Sequence, residues 1–347
     1  MDGKGREAAV IGAGIGGLAT AIALQAGGWR ATVYERADGL SGAGTALGMW
    51  PVALAALDTL GLGAAVRKLG QRQEAAEFRR PDGSRLGTLN ADRMGEIYLL
   101  SRPALLTLLL EQTQGTDSGR VLFCAEVPDP DQVAADLVVA ADGTFSRARD
   151  ALFGVPARFT GATAWRGWID DLPTSTFTEV WGRGSKFGVT PQEGGRTNWY
   201  ATVRAVEGAR SPDGELAALR AHFGGWGGPV PAVLSRVHED DVLRHDLYTV
   251  PPLPAFTRGR IALLGDAAHA MPPDLGRGAC EALVDAVTLA RCLREAETVA
   301  GGLRGYDRQR RPVTRRLARA ASLTARLAYL RRGVWARDTA LAATLRF

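Results

Sequence analysis

Lysine is nearly absent from this 347-residue chain: Lys4, Lys68 and Lys186 are the only three, so 39 of its 42 basic residues are arginine. Cysteine and histidine are also scarce. Cys124, Cys280 and Cys292 are too scattered for a disulfide framework or a zinc site, and His222, His238, His245 and His269 lack metal-ligand spacing, so no metal is expected. No run of about 18 apolar residues could span a bilayer. The opening MDGKGREAAVIGAG lacks the apolar stretch and cleavage site of a signal peptide, so a soluble, cytoplasmic protein is expected. Acidic residues are few only at one end. From residue 301 onward twelve arginines face two aspartates, so the net charge of +5 belongs to the C-terminal end and the body before it is mildly acidic. That distribution argues against a nucleic-acid-binding core.

Glycine, by contrast, is abundant at 43 residues and has no collagen-like period. It clusters where backbone must turn sharply or approach a ligand. Residues 8–11 form a short apolar run that breaks into Gly12-Ala13-Gly14-Ile15-Gly16-Gly17, then an Ala/Leu-rich helical stretch, then ATVYE ending at Glu35. This is a strand–turn–helix–strand unit of the dinucleotide-binding type. Gly12 permits the turn, Gly14 lets the backbone approach a pyrophosphate, and Gly17 lets helix pack on strand. The helix start favours phosphate, and Glu35 is placed to accept from ribose hydroxyls, with Arg36 beside it.

Two further strand-like runs end in polar turns: DLVVAA before Asp142-Gly143, and IALL before Gly265-Asp266 in GDAAH, followed by MPPDLGRGACEALVDA. With the glycine motif they form an ordered set that resembles the class A flavin monooxygenases, the para-hydroxybenzoate hydroxylase-like family, and within it the salicylate hydroxylase and zeaxanthin epoxidase branch. The resemblance covers nearly the whole chain and includes SRPALLTLL at residues 101–109. It implies FAD as cofactor, NADPH or NADH as a transient reductant, and transfer of one oxygen from O2 through a flavin C4a-hydroperoxide. The substrate would be an aromatic or polyketide-like small molecule, hydroxylated or epoxidised.

By the same resemblance Arg102 would contact FAD, Asp266 would hold its ribitol or pyrophosphate, and Asp142 and Gly143 would lie near it. For Asp142 a turn-forming role is the alternative. Pro273 and Gly276 would line the flavin face, with Arg277, Gly278 and Ala279 at the start of a helix over 279–295. The dipole of such a helix would stabilise negative charge on reduced flavin. The chain departs from the branch's usual pattern at Asp274, Arg277 and Val284. His269 reads as a structural histidine and Cys280 as a small packing residue. No second glycine motif exists for a separate nicotinamide domain.

Residues 159–248 change to short Trp-, Thr- and Gly-rich pieces that predict an antiparallel sheet, joined by a hairpin over 72–90 around Pro81-Asp82-Gly83. Arg166, Phe187, Trp199 and Pro272 are the candidate substrate-pocket residues. The expected fold is α/β: an FAD-binding Rossmann-like domain of the glutathione-reductase type from 1–70, 95–155 and 256–316, interleaved with a substrate sheet from 71–94 and 156–255. A C-terminal helical segment, 317–347, follows. Its stripe of Leu317, Ala320, Ala321, Thr324, Leu327 and Ala328 opposite arginines reads as a solvated helical face, with an anionic membrane or partner surface as the alternative. Its apolar end would close over the FAD domain or form a dimer contact, in a monomer or homodimer. Competing functions are an FAD oxidase or dehydrogenase on the same fold and a non-catalytic flavin-binding protein.

Overall fold

The computed structural model describes residues 5–42 and 44–346. The opening MDGK with Lys4, the first residues of the 1–70 stretch, Ala43, and Phe347 of the 317–347 segment lie outside the described residues. Its first layer grows from the apolar runs. Leu137–Ala140 is wholly buried and lies between Glu7–Ile11 and Ile261–Leu263, all parallel. Strands this apolar on both faces belong in the middle of a parallel sheet covered by helices. Arg30–Tyr34 and Gly119–Leu122 extend it on one side, and Thr257–Arg258 pairs antiparallel at the other edge, giving six strands. The helices Ile15–Ala26 and Gly278–Glu295 pack on each other over this sheet. Gly16 makes their contact close, because a Cβ there would meet the Ala282 side chain at 3.2 Å and the Leu264 side chain at 2.6 Å.

The second layer is a seven-stranded sheet. Arg158–Ile169, Thr197–Arg204, Ser185–Pro191 and Phe177–Trp181 follow one another antiparallel, with Leu243–Thr249 at one edge. The Pro81-Asp82-Gly83 turn, with Gly83 at φ +84°, joins Ala75–Arg79 to Arg85–Asn90 as a hairpin. That hairpin docks by a parallel pairing of Ala75–Arg79 with Phe177–Trp181, so the sheet is mixed rather than purely antiparallel. A three-stranded sheet, Ala46–Met49, Tyr98–Ser101 and Gln71–Arg72, completes the strands described here.

The two faces of the large sheet differ. Cross-strand neighbours share a face. Trp165, Ala201 and Phe187 therefore lie on one side with Trp199 and Val189, under the helices Glu215–Phe223 and Val230–Leu234. The opposite side carries Arg166, Tyr200, Gly188, Lys186, Thr202 and Glu179 and faces the first layer across the loop at 273–275.

The C-terminal end departs from expectation. One helix, Val299–Ala328, runs straight through residue 317 and holds Pro312 within it. Its buried line is Leu303, Tyr306, Arg310, Thr314, Ala321 and Ala328, whereas Leu327 of the expected stripe is 43% exposed. Arg310 is drawn into this line by Glu281 and Asp285, which no apolar pattern reveals. The last helix, Val334–Arg346, closes over the hairpin rather than the first layer: buried Arg337 donates to the Gly182 carbonyl at 2.9 Å, and Asp338 pairs with Arg80.

Candidate active site

Three strand ends of the parallel sheet meet at one edge, the position where open α/β sheets hold their ligands. At the first, the helix Ile15–Ala26 begins with no side-chain cap, so its leading N–H groups are free for an anion. Gly12 lies at φ +103°, and a Cβ on it would sit 2.5 Å from the Ala141 carbonyl oxygen. A Cβ on Gly17 would sit 1.9 Å from the Gly12 oxygen, whereas one on Gly14 would meet nothing within 4 Å. Gly12 and Gly17 are thus glycine for the fold, and Gly14 opens on free space. Glu35 receives the Ala13 N–H at 2.8 Å and the Ala37 N–H at 3.0 Å, which fixes its carboxylate beside the helix start; Arg36 is exposed next to it.

At the second strand end, Asp142 Oδ2 accepts weakly from Ala148 N at 3.3 Å, and its buried Oδ1 has no partner. Gly143 is at φ +81°. The turn is tied to the third strand end by Thr144, which donates to Asp266 at 3.4 Å, and by Arg149. Arg149 is fully buried, and its guanidinium donates to the carbonyls of Thr144, Val155 and Ala267. At the third end Asp266 is exposed between buried neighbours, 3.8 Å from where a Gly278 Cβ would stand.

Asp285 supports this third turn from below. One oxygen accepts from Gly265 N at 3.0 Å and contacts His269 Nε2 at 2.6 Å; the other pairs with Arg310 at 2.5 Å. Full burial alone would lower the His269 pKa, but the Asp285 charge outweighs it and raises it above the ordinary value; the same pairing, against burial, holds Asp285 below its own. His269 is buried in this group and touches Asp285. Asp285 and Arg149 were not among the candidates. The signal was present as an acid in the apolar middle of a helix and an arginine three residues after a capping Ser146.

The loop ahead of the helix Gly278–Glu295 brings Pro273 and Gly276 to the surface, Gly276 in the left-handed region at φ +60°. That helix also starts without a side-chain cap at Gly278 and Ala279. Arg277 reaches Glu281 at 2.7 Å and lies 5.9 Å from the Trp50 ring centre. Cys280 is buried, its thiol pushed up to about 11 by desolvation, and Val284 packs against the core. Arg102 is exposed at the start of the helix Arg102–Gln114, against Gly44.

Opposite this loop stands the polar side of the large sheet. Lys186 lies 3.0 Å from both Glu179 and Asp274, and Tyr200 and Trp181 donate to Glu179. Burial opposes charge on both partners. Even so, the pairing lowers the Glu179 pKa, while the two carboxylates raise that of Lys186. Burial and the Glu179 charge raise Tyr200 well above the ordinary phenol. Asp274 Oδ1 faces the Lys186 ammonium at 3.0 Å, and both Asp274 oxygens are buried. Arg166 is half-buried on this side and has no carboxylate partner among the described residues, and desolvation and then Arg102 lower its pKa.

Of the four pocket candidates, Phe187 and Trp199 are a correction. Both are fully buried on the far side of the sheet, their rings stacked 6.0 Å apart among Phe223 and Val233. Strand alternation turned them away, and only register shows which side faces the cleft. Pro272 is buried ahead of the loop. Among the described residues no group of His, Cys, Asp or Glu could hold a metal, and no helix is long and apolar enough to cross a membrane.

An uncapped glycine-lined helix start, the Glu35 carboxylate fixed beside it, a buried acceptor at Asp142 and an exposed Asp266 lie at adjoining strand ends, and these residues fit FAD. The family described as "FAD binding domain" matches residues 6–131 and 107–321. Aurachin C monooxygenase/isomerase of Stigmatella aurantiaca is 33% identical over 312 residues, covering 84% of this chain and 82% of that one. FAD-dependent urate hydroxylase of Klebsiella pneumoniae is 31% identical over 329 residues, 88% and 85% of the two chains. The crystal structure of Klebsiella pneumoniae HpxO with FAD and uric acid superposes with a TM-score of 0.88 at 29% identity, covering 98% of this chain and 92% of that one. The chain belongs to this FAD-binding family, that of the class A flavin monooxygenases. It is an FAD-dependent enzyme, and reduced nicotinamide is the reductant typical of the family.

Proposed function

We propose that the protein uses NADH or NADPH and O2 to hydroxylate or epoxidise an aromatic or polyketide-like small molecule that presents an anionic or acceptor-rich group to Arg166. The single observation that carries this finer reading is the unpaired Arg166 on the polar side of the sheet, opposite the loop at 273–276. A half-buried guanidinium without a counter-ion favours a ligand that supplies one. FAD, when bound, supplies the electron transfer and the oxygen activation.

The chain's own residues bind and orient. Gly12, Ala13, Gly14, Ile15, Gly16 and Gly17 would receive the diphosphate, Glu35 and Arg36 the ribose side, and Asp142, Gly143, Asp266 and Arg102 the rest of the dinucleotide. Pro273, Gly276, Arg277, Gly278 and Ala279 would border the ring, whose negative charge on reduction the uncapped helix start favours. Pro272 would wall the substrate, and Asp274, beside the ring, would place its charge next to the site. In this reading the FAD-binding body is 1–70, 95–155 and 256–316, the substrate sheet is 71–94 and 156–255, and 317–347 is the C-terminal segment, in a cytoplasmic monomer or homodimer.

The test is substrate-stimulated NAD(P)H oxidation by the yellow holoprotein under labelled O2. One labelled oxygen atom in the product supports the reading. Peroxide equal to the NAD(P)H consumed, with no oxygen in any product, overturns it, and flavin bleaching by substrate without nicotinamide would make the protein an oxidase or dehydrogenase.

A further inference from the structure

The helix Val299–Ala328 turns one line of residues, Tyr306, Thr314 and Ala321 among them, into the body of the protein. The opposite side, at helical spacing from 312 to 327, is exposed. Arg315, Arg319 and Arg326 run along one edge of it. Beside them run Val313, Leu323 and Leu327, with Arg316 in their midst, and Leu323 is 59% exposed. Past Gly333 the chain folds back, because Arg337 donates to the Ala328 carbonyl at 3.3 Å. The first turn of the helix Val334–Arg346 therefore stands at the end of the long helix. Trp335, in that turn, is 77% exposed, and Arg331 and Arg332 are exposed in the connection before it.

No acidic residue occurs between Asp307 and Asp338. Among the described residues Arg315, Arg316, Arg319, Arg326, Arg331 and Arg332 have no acidic partner, whereas Arg310, Arg311 and Arg337 are paired. A second copy of the chain would set these six like charges against six more. A nucleic acid would use the guanidiniums and leave two leucines and an indole idle. An anionic bilayer surface uses both. Its headgroups accept from the guanidinium forks, the leucines enter the acyl boundary, and a tryptophan is at home at headgroup level. We infer that this face docks the protein on an anionic lipid surface, with the long helix lying along the bilayer and not through it.

Flotation of the FAD-loaded full chain tests the inference, using vesicles of phosphatidylcholine alone and of phosphatidylcholine mixed with phosphatidylglycerol. The mixed vesicles should be bound at least about tenfold more tightly, and less so as salt rises. The variants Leu323→Ser/Leu327→Ser and Arg316→Glu/Arg319→Glu change exposed positions only. Each should lose more than about tenfold in binding to the mixed vesicles while keeping its flavin. Trp335→Phe should remove most of the quenching of tryptophan fluorescence by brominated acyl chains, a readout that stands even if a double variant fails to fold. Equal binding to both vesicle types, binding to neither, or undiminished binding by the leucine variant overturns the inference. Two further results would overturn it in favour of another occupant. Duplex DNA bound in the absence of vesicle binding would give the face to nucleic acid. A dimer in sedimentation that Leu323→Ser/Leu327→Ser dissociates, again without vesicle binding, would give it to a second copy.

Discussion

Lys186 and Asp274 stand 3.0 Å apart across the boundary between the large sheet and the loop that precedes the helix Gly278–Glu295. Both side chains are almost wholly buried, and Glu179 completes the group on the sheet side. A compact ammonium suits a site enclosed by two carboxylates and the Tyr200 ring, 5.8 Å away. Lys186→Met leaves two buried carboxylates without a cation and is expected to cost about 3–5 kcal/mol. Asp274→Asn keeps the Lys186–Glu179 pair and should cost much less. Urea unfolding of the two holoproteins checks this; near-equal losses would mean that the loop is not held by this pair.

Two glycines of one motif should fail in different ways. Gly17→Ala forces a methyl to within 1.9 Å of the Gly12 oxygen, so the protein should lose several kcal/mol of stability or not fold. Gly14→Ala meets nothing in the protein, so the apoprotein should unfold within about 1 kcal/mol of wild type. Its methyl would stand where a diphosphate approaches, so bound FAD, read by absorbance, should drop sharply. Full FAD content in Gly14→Ala would remove the diphosphate from that site.

The His269–Asp285 pair has opposite edges in pH. The raised His269 pKa means its contribution is complete below about 6.5, the unfolded value, and is lost as pH rises through the folded value. The lowered Asp285 pKa means its contribution is present above about 4 and lost as pH falls. The difference in Tm between wild type and His269→Gln should therefore be largest in mildly acidic buffer and shrink toward alkaline pH. A difference that grows with pH would contradict the ion pair.

Arg166→Gln should spare FAD content while raising the substrate KM by about 10–100-fold, the loss of one charge-assisted hydrogen bond. Substrate-stimulated NAD(P)H oxidation reads KM, and peroxide measures uncoupling. An unchanged KM would place the substrate's polar group elsewhere.

The dinucleotide unit was readable from residues because its information is local. A strand, a glycine turn, a helix and an acid follow one another within about 30 residues, and each glycine answers to a contact made inside that unit. The strands ending at Asp142 and Asp266 were equally readable as apolar runs cut by polar turns. Their meeting at one sheet edge depended on the order of strands far apart in sequence.

What the amino-acid sequence determined by itself is the FAD-binding unit, the layered α/β class and the place of the arginine-rich end. Tertiary structure alone decided which side of the large sheet faces the cleft, because a one-residue change of register exchanges the two sides; Phe187 and Trp199 went to the core while Lys186 and Tyr200 went to the site. It also decided which charges are partnered. Arg149, Arg310 and Arg337 look like the other arginines in the chain, and only packing against distant carbonyls and carboxylates made them buried supports. Among the described residues Arg158, Arg315, Arg319 and Arg326 have no such partner and line one cleft.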